Sequence, residues 1–335
     1  MNSKPPYSLI TRLAYLMSFI ALAIDGMLPA FPQISSYFGL VSQNEIQKIV
    51  FFIFLGMSVG QILFGPLSDA FGRRKVLLLG VSIFIAGSVF CIYAQTFDQL
   101  LIGRVIQGFG ASSCRIIGVA IIRDLFSGSE MGRIMSFIMI FFILIPAFAP
   151  SIGQAVLFFY DWHAIFKLFL IAGVFGFLWV FLKQEETLDL ENRNPLTIER
   201  FTKGLKDVVS SKEAVGYGLS SGLVFGAMVG YLSCSQLIFA IVFDAEHLFI
   251  YIFGGIALFA GLTSYFNASL VRKYKMEKIC VAGLILMTGT SGIYLLALNF
   301  FEIENNLTVA LVRIGNSSHF ILSKSAEFPL DLAPI

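Results

Sequence analysis

Residues 65–75 read GPLSDAFGRRK, a short basic stretch between two long apolar runs, and this stretch does most to decide the fold. Gly65 and Gly72 allow the chain to turn sharply and let the helix ends come close together. Asp69 is placed to pair with one of the arginines that follow it. The flanking runs are about twenty residues long, which is the length at which a helix crosses a hydrocarbon core of roughly 30 Å. The stretch therefore predicts a tight loop between two membrane-spanning helices.

The composition excludes an ordinary soluble protein. Of the 335 residues, 57% are hydrophobic and only 13% are charged, against about 25% charged in a typical soluble domain. The net charge is only +2 and the basic residues are dispersed, so we expect no nucleic-acid partner. The 4 cysteines lie within apolar runs and form no CxxC pair, which favours small buried side chains. We expect neither a metal site nor a cofactor.

Nine apolar runs predict nine transmembrane helices and therefore an all-α, polytopic membrane protein. The first run carries an aspartate and is too long for the apolar region of a signal peptide, so it is counted as a span. The predicted spans are roughly 10–30, 48–67, 76–95, 99–121, 134–155, 164–182, 214–235, 248–268 and 279–300.

The distribution of lysine and arginine predicts the orientation of these spans. With the N-terminus in the cytoplasm, seventeen of these residues fall on the cytoplasmic side, and at most Lys48 and Lys167 fall on the other side. Basic residues concentrate in the short cytoplasmic loops of membrane proteins. We therefore expect a cytoplasmic N-terminus and a cytoplasmic loop at residues 65–75.

Residues 183–213 form the longest hydrophilic stretch between two predicted spans, and we interpret them as a cytoplasmic linker. Residues 1–182 then form a six-helix bundle, and residues 214–300 form a partial second bundle of three helices. Residues 301–335 are too polar and too broken to cross a bilayer as a helix.

The segment GPLSDAFGRRK resembles the GxLxDRxGRRxxL signature that major facilitator proteins carry between their second and third helices. Only Ala70 departs from that signature, standing where the family has arginine. The resemblance implies the major facilitator fold, with twelve spans, so the second half is expected to be truncated and its tail to be frameshifted. It also implies a conformational latch that consists of Gly65, Asp69, Gly72, Arg73 and Arg74.

Further segments resemble one branch of that family, the bicyclomycin/chloramphenicol-resistance (Bcr/CflA) drug:proton antiporters. Residues 25–32, DGMLPAFP, are similar to the TDMYLPALP segment of these exporters, and residues 104–111, RVIQGFGA, are similar to their RxxQGxGAA signature. Residues 121–125 and 162–166 also resemble the branch, although His163 replaces the usual arginine. Residues 146–153, PAFAPSIG, resemble the antiporter pattern, which implies a hinge at Pro146, Pro150 and Gly153.

Three ionisable residues lie well inside the predicted spans, namely Asp25, Arg104 and Arg115. Each costs about 2.5–3.5 kcal/mol at the centre of a membrane helix, so a functional role is the default interpretation. The two arginines are eleven residues apart and share one helix face, about 16 Å from each other. Gln107 and Gly108 lie between them. We expect a polar stripe on the fourth span that faces the first span across a central cavity.

We hypothesise that Asp25 accepts the coupled proton and that Arg104 controls its release. Burial favours a neutral carboxylic acid, whereas a nearby guanidinium favours the carboxylate, so movement of either helix changes the balance. A static ion pair between the two side chains is the alternative. The expected lining of the substrate cavity is Arg115, Gln107, Gly108, Tyr15, Phe19 and Phe142.

The leading functional prediction is proton-coupled efflux of small amphipathic molecules across a bacterial inner membrane, with the proton gradient as the energy source. A proton-coupled metabolite symporter on the same fold is one alternative. A transporter fragment with weak or absent transport is another. An enzyme is not expected, because the sequence shows neither a catalytic cluster nor a phosphate-binding glycine loop. The expected partners are a small-molecule substrate, protons and the lipid bilayer, and the expected oligomeric state is a monomer.

Overall fold

A computed structural model describes the chain. The residues it describes are 7–42, 44–237, 239, 249, 251–256, 258–259, 281–283, 285–286, 288–290 and 292–293. Their regular elements are all helical. The α-helices are α1 (Tyr7–Asp25), α2 (Phe31–Tyr37), α3 (Lys48–Phe71), α4 (Arg73–Ile92), α5 (Phe97–Leu125), α6 (Gly128–Phe159), α7 (His163–Lys183), α8 (Ile198–Ser210) and α9 (Lys212–Leu237).

The helices confirm the all-α membrane fold that the apolar runs predict. Five stretches within the described residues are long and apolar enough to cross a membrane: Tyr7–Tyr37, Glu45–Phe71, Arg73–Ile92, Phe97–Leu125 and His163–Lys183. They coincide with the first four predicted spans and the sixth. Helices α6 and α9 cover the fifth and seventh predicted spans. The predicted spans 248–268 and 279–300 lie largely outside the described residues.

The first span, Tyr7–Tyr37, contains the predicted span 10–30 but is not one continuous helix. Helix α1 stops at Asp25, and a turn and a 3-10 helix precede α2. The physical reason is the pair of prolines at 29 and 32, which lack the N–H groups that would continue the helical hydrogen bonds. Asp25 is consequently the last residue of α1 and lies inside the first span.

Helix α5 lies at the centre of the first bundle, packed closely against α3 and α4. Glycines make this packing possible, because their backbones approach the neighbouring helix without a side chain between them. A Cβ atom at Gly56 would meet the backbone of Val105, and one at Gly110 would meet the backbone of Phe84. Gly56 and Gly110 therefore serve close packing of these helices.

The first span is also interior. In the most apolar window of Tyr7–Tyr37, 83% of the residues are buried, against 33% in the corresponding window of α7. Helix α3 divides its surface between protein and lipid. One face packs on α5, and the other exposes large apolar side chains at a helical spacing, namely Phe51, Leu55, Val59 and Ile62.

The chain divides into two compact units, Met1–Leu205 and Lys206–Ile335. The first unit contains helices α1 to α7 and the beginning of α8. The second unit begins inside α8 and includes α9. All the site geometry that follows lies in the first unit.

Candidate functional site

Arg104 is the centre of a buried polar network that joins three helices. Its side chain is fully buried on α5, and its Nη2 atom donates to the carbonyl oxygen of Ala23 on α1 at 2.8 Å. Its Nη1 atom donates to Gln107. Gln107 in turn donates to the hydroxyl of Ser88 on α4 at 2.8 Å. Arg104 therefore binds the C-terminal turn of α1, where carbonyl groups lack helical partners and a cation is favourable.

Asp25 lies two residues beyond the carbonyl that Arg104 binds. The residue is 4% exposed, and its Oδ1 atom has no hydrogen-bond partner among the residues that the structure describes. The ion pairs of the described residues do not include one between Asp25 and Arg104. A buried carboxyl group without a partner is costly when it is charged. Asp25 and the guanidinium of Arg104 thus both lie at the C-terminal turn of α1, and the guanidinium, which comes from α5, is bound to the backbone.

Helix α6 approaches α1 directly beside Asp25. A Cβ atom at Gly153 would collide with the carbonyl oxygen of Gly26, so only glycine permits this contact. Pro150 is buried three residues earlier in the same helix. Pro146 also lies within α6, but its side chain and that of Phe142 are outside the described part of the structure. The predicted hinge segment therefore touches the chain next to the predicted proton acceptor.

The predicted polar stripe on α5 is divided among several neighbours. Gln107 is fully buried against α4 through Ser88. Gly108 faces α3, because a Cβ atom there would meet the backbone of Ile53. Arg115 is half-buried farther along α5. The structure thus places Gln107 and Gly108 in helix contacts within the bundle.

Two of the three aromatic residues predicted to line the cavity, Tyr15 and Phe19, lie in helix packing inside the bundle. The hydroxyl of Tyr15 donates to the carbonyl of Ala172 on α7 at 3.0 Å. Phe19 is 2% exposed and stacks on Phe84 of α4, with ring centroids 5.2 Å apart. Both side chains therefore join α1 to its neighbouring helices.

The loop between α3 and α4 is organised by Arg73. Its guanidinium pairs with Asp69 and also with Asp124 of α5, where Nε and Oδ2 are 2.9 Å apart. It donates to the hydroxyl of Ser68 at 2.7 Å. The side chain of Arg73 is 9% exposed, whereas that of Asp69 is 44% exposed. Of the two predicted partners of Asp69, the structure selects Arg73, and Arg74 instead donates to the carbonyl of Phe181.

Glu186, which lies after α7, caps the first turn of α4. Its carboxylate accepts hydrogen bonds from the backbone N–H groups of Arg73 at 2.8 Å and Arg74 at 3.3 Å. These N–H groups have no partner within the helix, and a negative charge is favourable there. Gly72 has a positive φ of 96°, and a Cβ atom there would also meet the Glu186 carboxylate. The positive φ is the reason that glycine is favoured at 72, since the Glu186 side chain can move aside.

Asp124 and Glu186 belong to this network of charged contacts, and the sequence does not single them out. Asp124 belongs to the segment 121–125, which resembles the exporter branch, but its partner is not visible from sequence. Glu186 stands at the start of the predicted linker and binds a helix 113 residues earlier. A charge in a hydrophilic segment looks like any solvated side chain, so only a family-wide pattern could have identified it.

At the opposite end of the bundle, a groove of about 530 Å³ lies beside α2 and the start of α7. The Nδ1 atom of His163 is 3.0 Å from the Oδ2 atom of Asp161, and the imidazole stacks on Trp162. The groove is lined by Pro32, Gln33, Ser36, Tyr37, Asp161, Trp162 and His163. In the described parts of the chain, no group of three or more His, Cys, Asp or Glu side chains is arranged to hold a metal ion.

The family model of the Major Facilitator Superfamily matches residues 13–325. The chain is 33% identical to the uncharacterized MFS-type transporter YdgK of Bacillus subtilis over 258 residues, which are 74% of this chain and 64% of that protein. It is 29% identical to a bicyclomycin resistance protein homolog of Haemophilus influenzae over 238 residues, 71% of this chain and 60% of that protein. The matched region thus spans less than two thirds of either relative.

Among solved structures, the human organic anion transporter MFSD10 has a similar fold. The TM-score is 0.69, and the alignment covers 97% of this chain and 86% of that one, at 17% sequence identity. At this identity the likeness concerns the fold alone.

Proposed function

The chain belongs to the Major Facilitator Superfamily, a family of multi-pass membrane transporters, and on that premise we propose that it exports small amphipathic molecules in exchange for protons. The similarity to a bicyclomycin resistance protein homolog supports efflux as the direction of transport. The motifs at 25–32 and 104–111, which resemble drug exporters, support the same direction. The membrane concerned is the bacterial inner membrane.

The observation that carries the proposal is the buried carboxyl group of Asp25, whose Oδ1 atom has no hydrogen-bond partner in the described part of the chain. Ionisable residues inside a membrane bundle are expensive and typically belong to proton or ion pathways. The Oδ1 atom is buried and lacks a hydrogen-bond partner among the described residues, so the neutral acid is tolerated there better than the carboxylate. Proton uptake at Asp25 is therefore compatible with the state that the structure shows.

For Asp25 to release its proton, the surroundings of its carboxyl group must change. Two contacts are positioned to cause such a change. Arg104 binds the Ala23 carbonyl, two residues from Asp25, and a guanidinium that shifts toward the carboxyl group favours the charged form. Helix α6 touches Gly26 through Gly153, so a movement of α6 opens or closes the surroundings of the carboxyl group. Alternating exposure of Asp25 would then couple proton movement to substrate movement.

The proposal is tested by transport in everted membrane vesicles that are acidified inside. Efflux by proton exchange predicts that an amphipathic probe accumulates in such vesicles, and the probe set includes bicyclomycin and a fluorescent amphipathic dye. A symporter predicts no accumulation under the same gradient. Absence of gradient-dependent accumulation by the unmodified chain would contradict the proposal.

Replacement of the proposed proton acceptor tests the role of Asp25 directly. We expect Asp25→Asn to reduce proton-driven accumulation at least tenfold, because the amide cannot take up and release a proton, while the amount of protein in the membrane stays unchanged. The matched control is Asp98→Asn, which removes an exposed carboxylate in the first turn of α5. Full activity of the Asp25→Asn variant would overturn the assignment of Asp25.

A further inference from the structure

Helix α8, Ile198–Ser210, separates its apolar and polar residues more strictly than the spans do. At about 100° per residue, its five large apolar side chains fall within a sector of roughly 100°. The remaining arc carries charged and small residues. The apolar members are Ile198, Phe201, Leu205, Val208 and Val209.

Four of the five apolar side chains are exposed, and Phe201 is half-buried. Ile198 is 85% exposed and Val209 is 66% exposed, and α8 contains no buried residue. Apolar area left in water costs roughly 25 cal/mol per Å², so an amphipathic helix of this kind requires a cover. Within the described residues, Phe201 is the only member of the sector that is partly covered.

The charged residues of α8 indicate which kind of partner covers the apolar sector. Arg200 and Lys206 lie about 80° and 60° beyond the two edges of the apolar sector, and Lys203 lies on the polar face. Cations in flanking positions can place their alkyl stems along an apolar surface and keep their charged ends in the headgroup region. The pattern is complementary to a bilayer surface that carries anionic phosphates.

The position of α8 in the chain favours the same partner. The preceding candidate span, α7, ends at Lys183. After it the chain returns to the α3–α4 loop, where the Asn194 N–H donates to the carbonyl of Asp69 at 3.1 Å. Ile198 follows four residues later. Since the α3–α4 loop joins two spans, the start of α8 lies near the border of the bilayer.

We propose that α8 is an interfacial helix that lies in the surface of an anionic bilayer. Its apolar sector enters the region between headgroups and acyl chains, and Arg200 and Lys206 contact lipid phosphates. This inference is independent of the proposed transport activity. It assigns to the segment between α7 and α9 a lipid-binding surface in place of a purely solvated linker.

Fluorescence quenching by brominated lipids tests the proposal on the full chain in vesicles. The sequence contains only 2 tryptophans, Trp162 and Trp179, and both are replaced by Phe. A single Trp is then introduced by Phe201→Trp on the apolar sector or, as the control, by Lys203→Trp on the polar face. In phosphatidylglycerol vesicles with brominated acyl chains, we expect at least threefold stronger quenching for Phe201→Trp.

Other occupants of the sector give different results. If another part of the chain or a second copy covers it, Phe201→Trp fluoresces at short wavelength and neither brominated lipid nor iodide quenches it. If water surrounds it, iodide quenches both variants equally. Either result overturns the proposal. Should the tryptophan-free background fail to fold, a nitroxide on Phe201→Cys, with Cys234 and Cys280 replaced by Ser, reports the same depth by its accessibility to oxygen.

The role of charge is tested separately. We expect quenching of Phe201→Trp to be stronger in anionic phosphatidylglycerol than in zwitterionic phosphatidylcholine, and the double variant Arg200→Gln/Lys206→Gln to remove that difference. Lys203→Gln is the matched control and should retain most of it. Equal quenching in the two lipids for the unmodified charges would refute recognition of anionic headgroups.

Discussion

Glu186 shows how one side chain can hold together segments that are far apart in sequence. Its carboxylate binds the first N–H groups of α4 and also the N–H groups of Thr187 and Leu188 in its own segment. Arg193 approaches the same carboxylate at 3.9 Å. A residue beyond the last helix of the first bundle thereby fixes the turn at Gly72.

Removal of this carboxylate should destabilise the first unit. We expect Glu186→Gln to lower stability by about 1 kcal/mol, because a charged cap at a helix N-terminus is replaced by a neutral one. Thermal unfolding of the purified protein in detergent measures the effect. Glu185→Gln removes an exposed charge one residue away and should melt like the unmodified chain; identical melting of both variants would refute the capping role.

At the scale of helices, α5 depends on the absence of side chains at its contacts. Gly108 faces the backbone of Ile53 on α3, which cannot move aside without shifting a whole helix. At Gly118, ten residues later on α5, a Cβ atom would meet the flexible end of Met17 and would lie in ordinary contact with the side chain of Leu13. The two glycines share an element and differ in what lies opposite them.

This difference gives a matched pair of substitutions. We expect Gly108→Ala to destabilise the protein by about 1–3 kcal/mol, since overpacking against backbone forces the helices apart. Gly118→Ala should be nearly neutral, because the Met17 side chain can take another rotamer. Thermal unfolding compares them, and the interpretation fails if Gly118→Ala is the more damaging of the two.

For the whole molecule, the basic residues predict which ends of the helices face the cytoplasm. Lys75 and Gln95 are exposed at opposite ends of α4. In a background with Cys234 and Cys280 replaced by Ser, we expect an impermeant maleimide to label Gln95→Cys in intact cells and Lys75→Cys only in everted membranes. The remaining Cys91 and Cys114 are buried and serve as internal controls. The reverse labelling pattern would show that the predicted orientation is wrong.

The sequence predicts the helices and the α3–α4 loop well, because both depend on local patterns. The length of apolar runs locates the spans, and the spacing of Asp69 and Arg73 is that of one helical turn. The partner of Arg104 is a backbone carbonyl, a group that every residue carries, so no pattern can identify it. The partner of Glu186 is likewise backbone, at a distance of more than a hundred residues.

The hydrogen bond from Asn194 to Asp69 limits how far the chain beyond it can reach. Only residues 195–197 separate this anchor from Ile198, the first residue of α8. Four extended Cα–Cα steps cover at most about 14 Å. The chain between the α3–α4 loop and α8 is therefore short. A displacement of that loop is expected to move the start of α8. The sequence suggests a long flexible linker here, whereas the structure shows a short connection between the α3–α4 loop and α8.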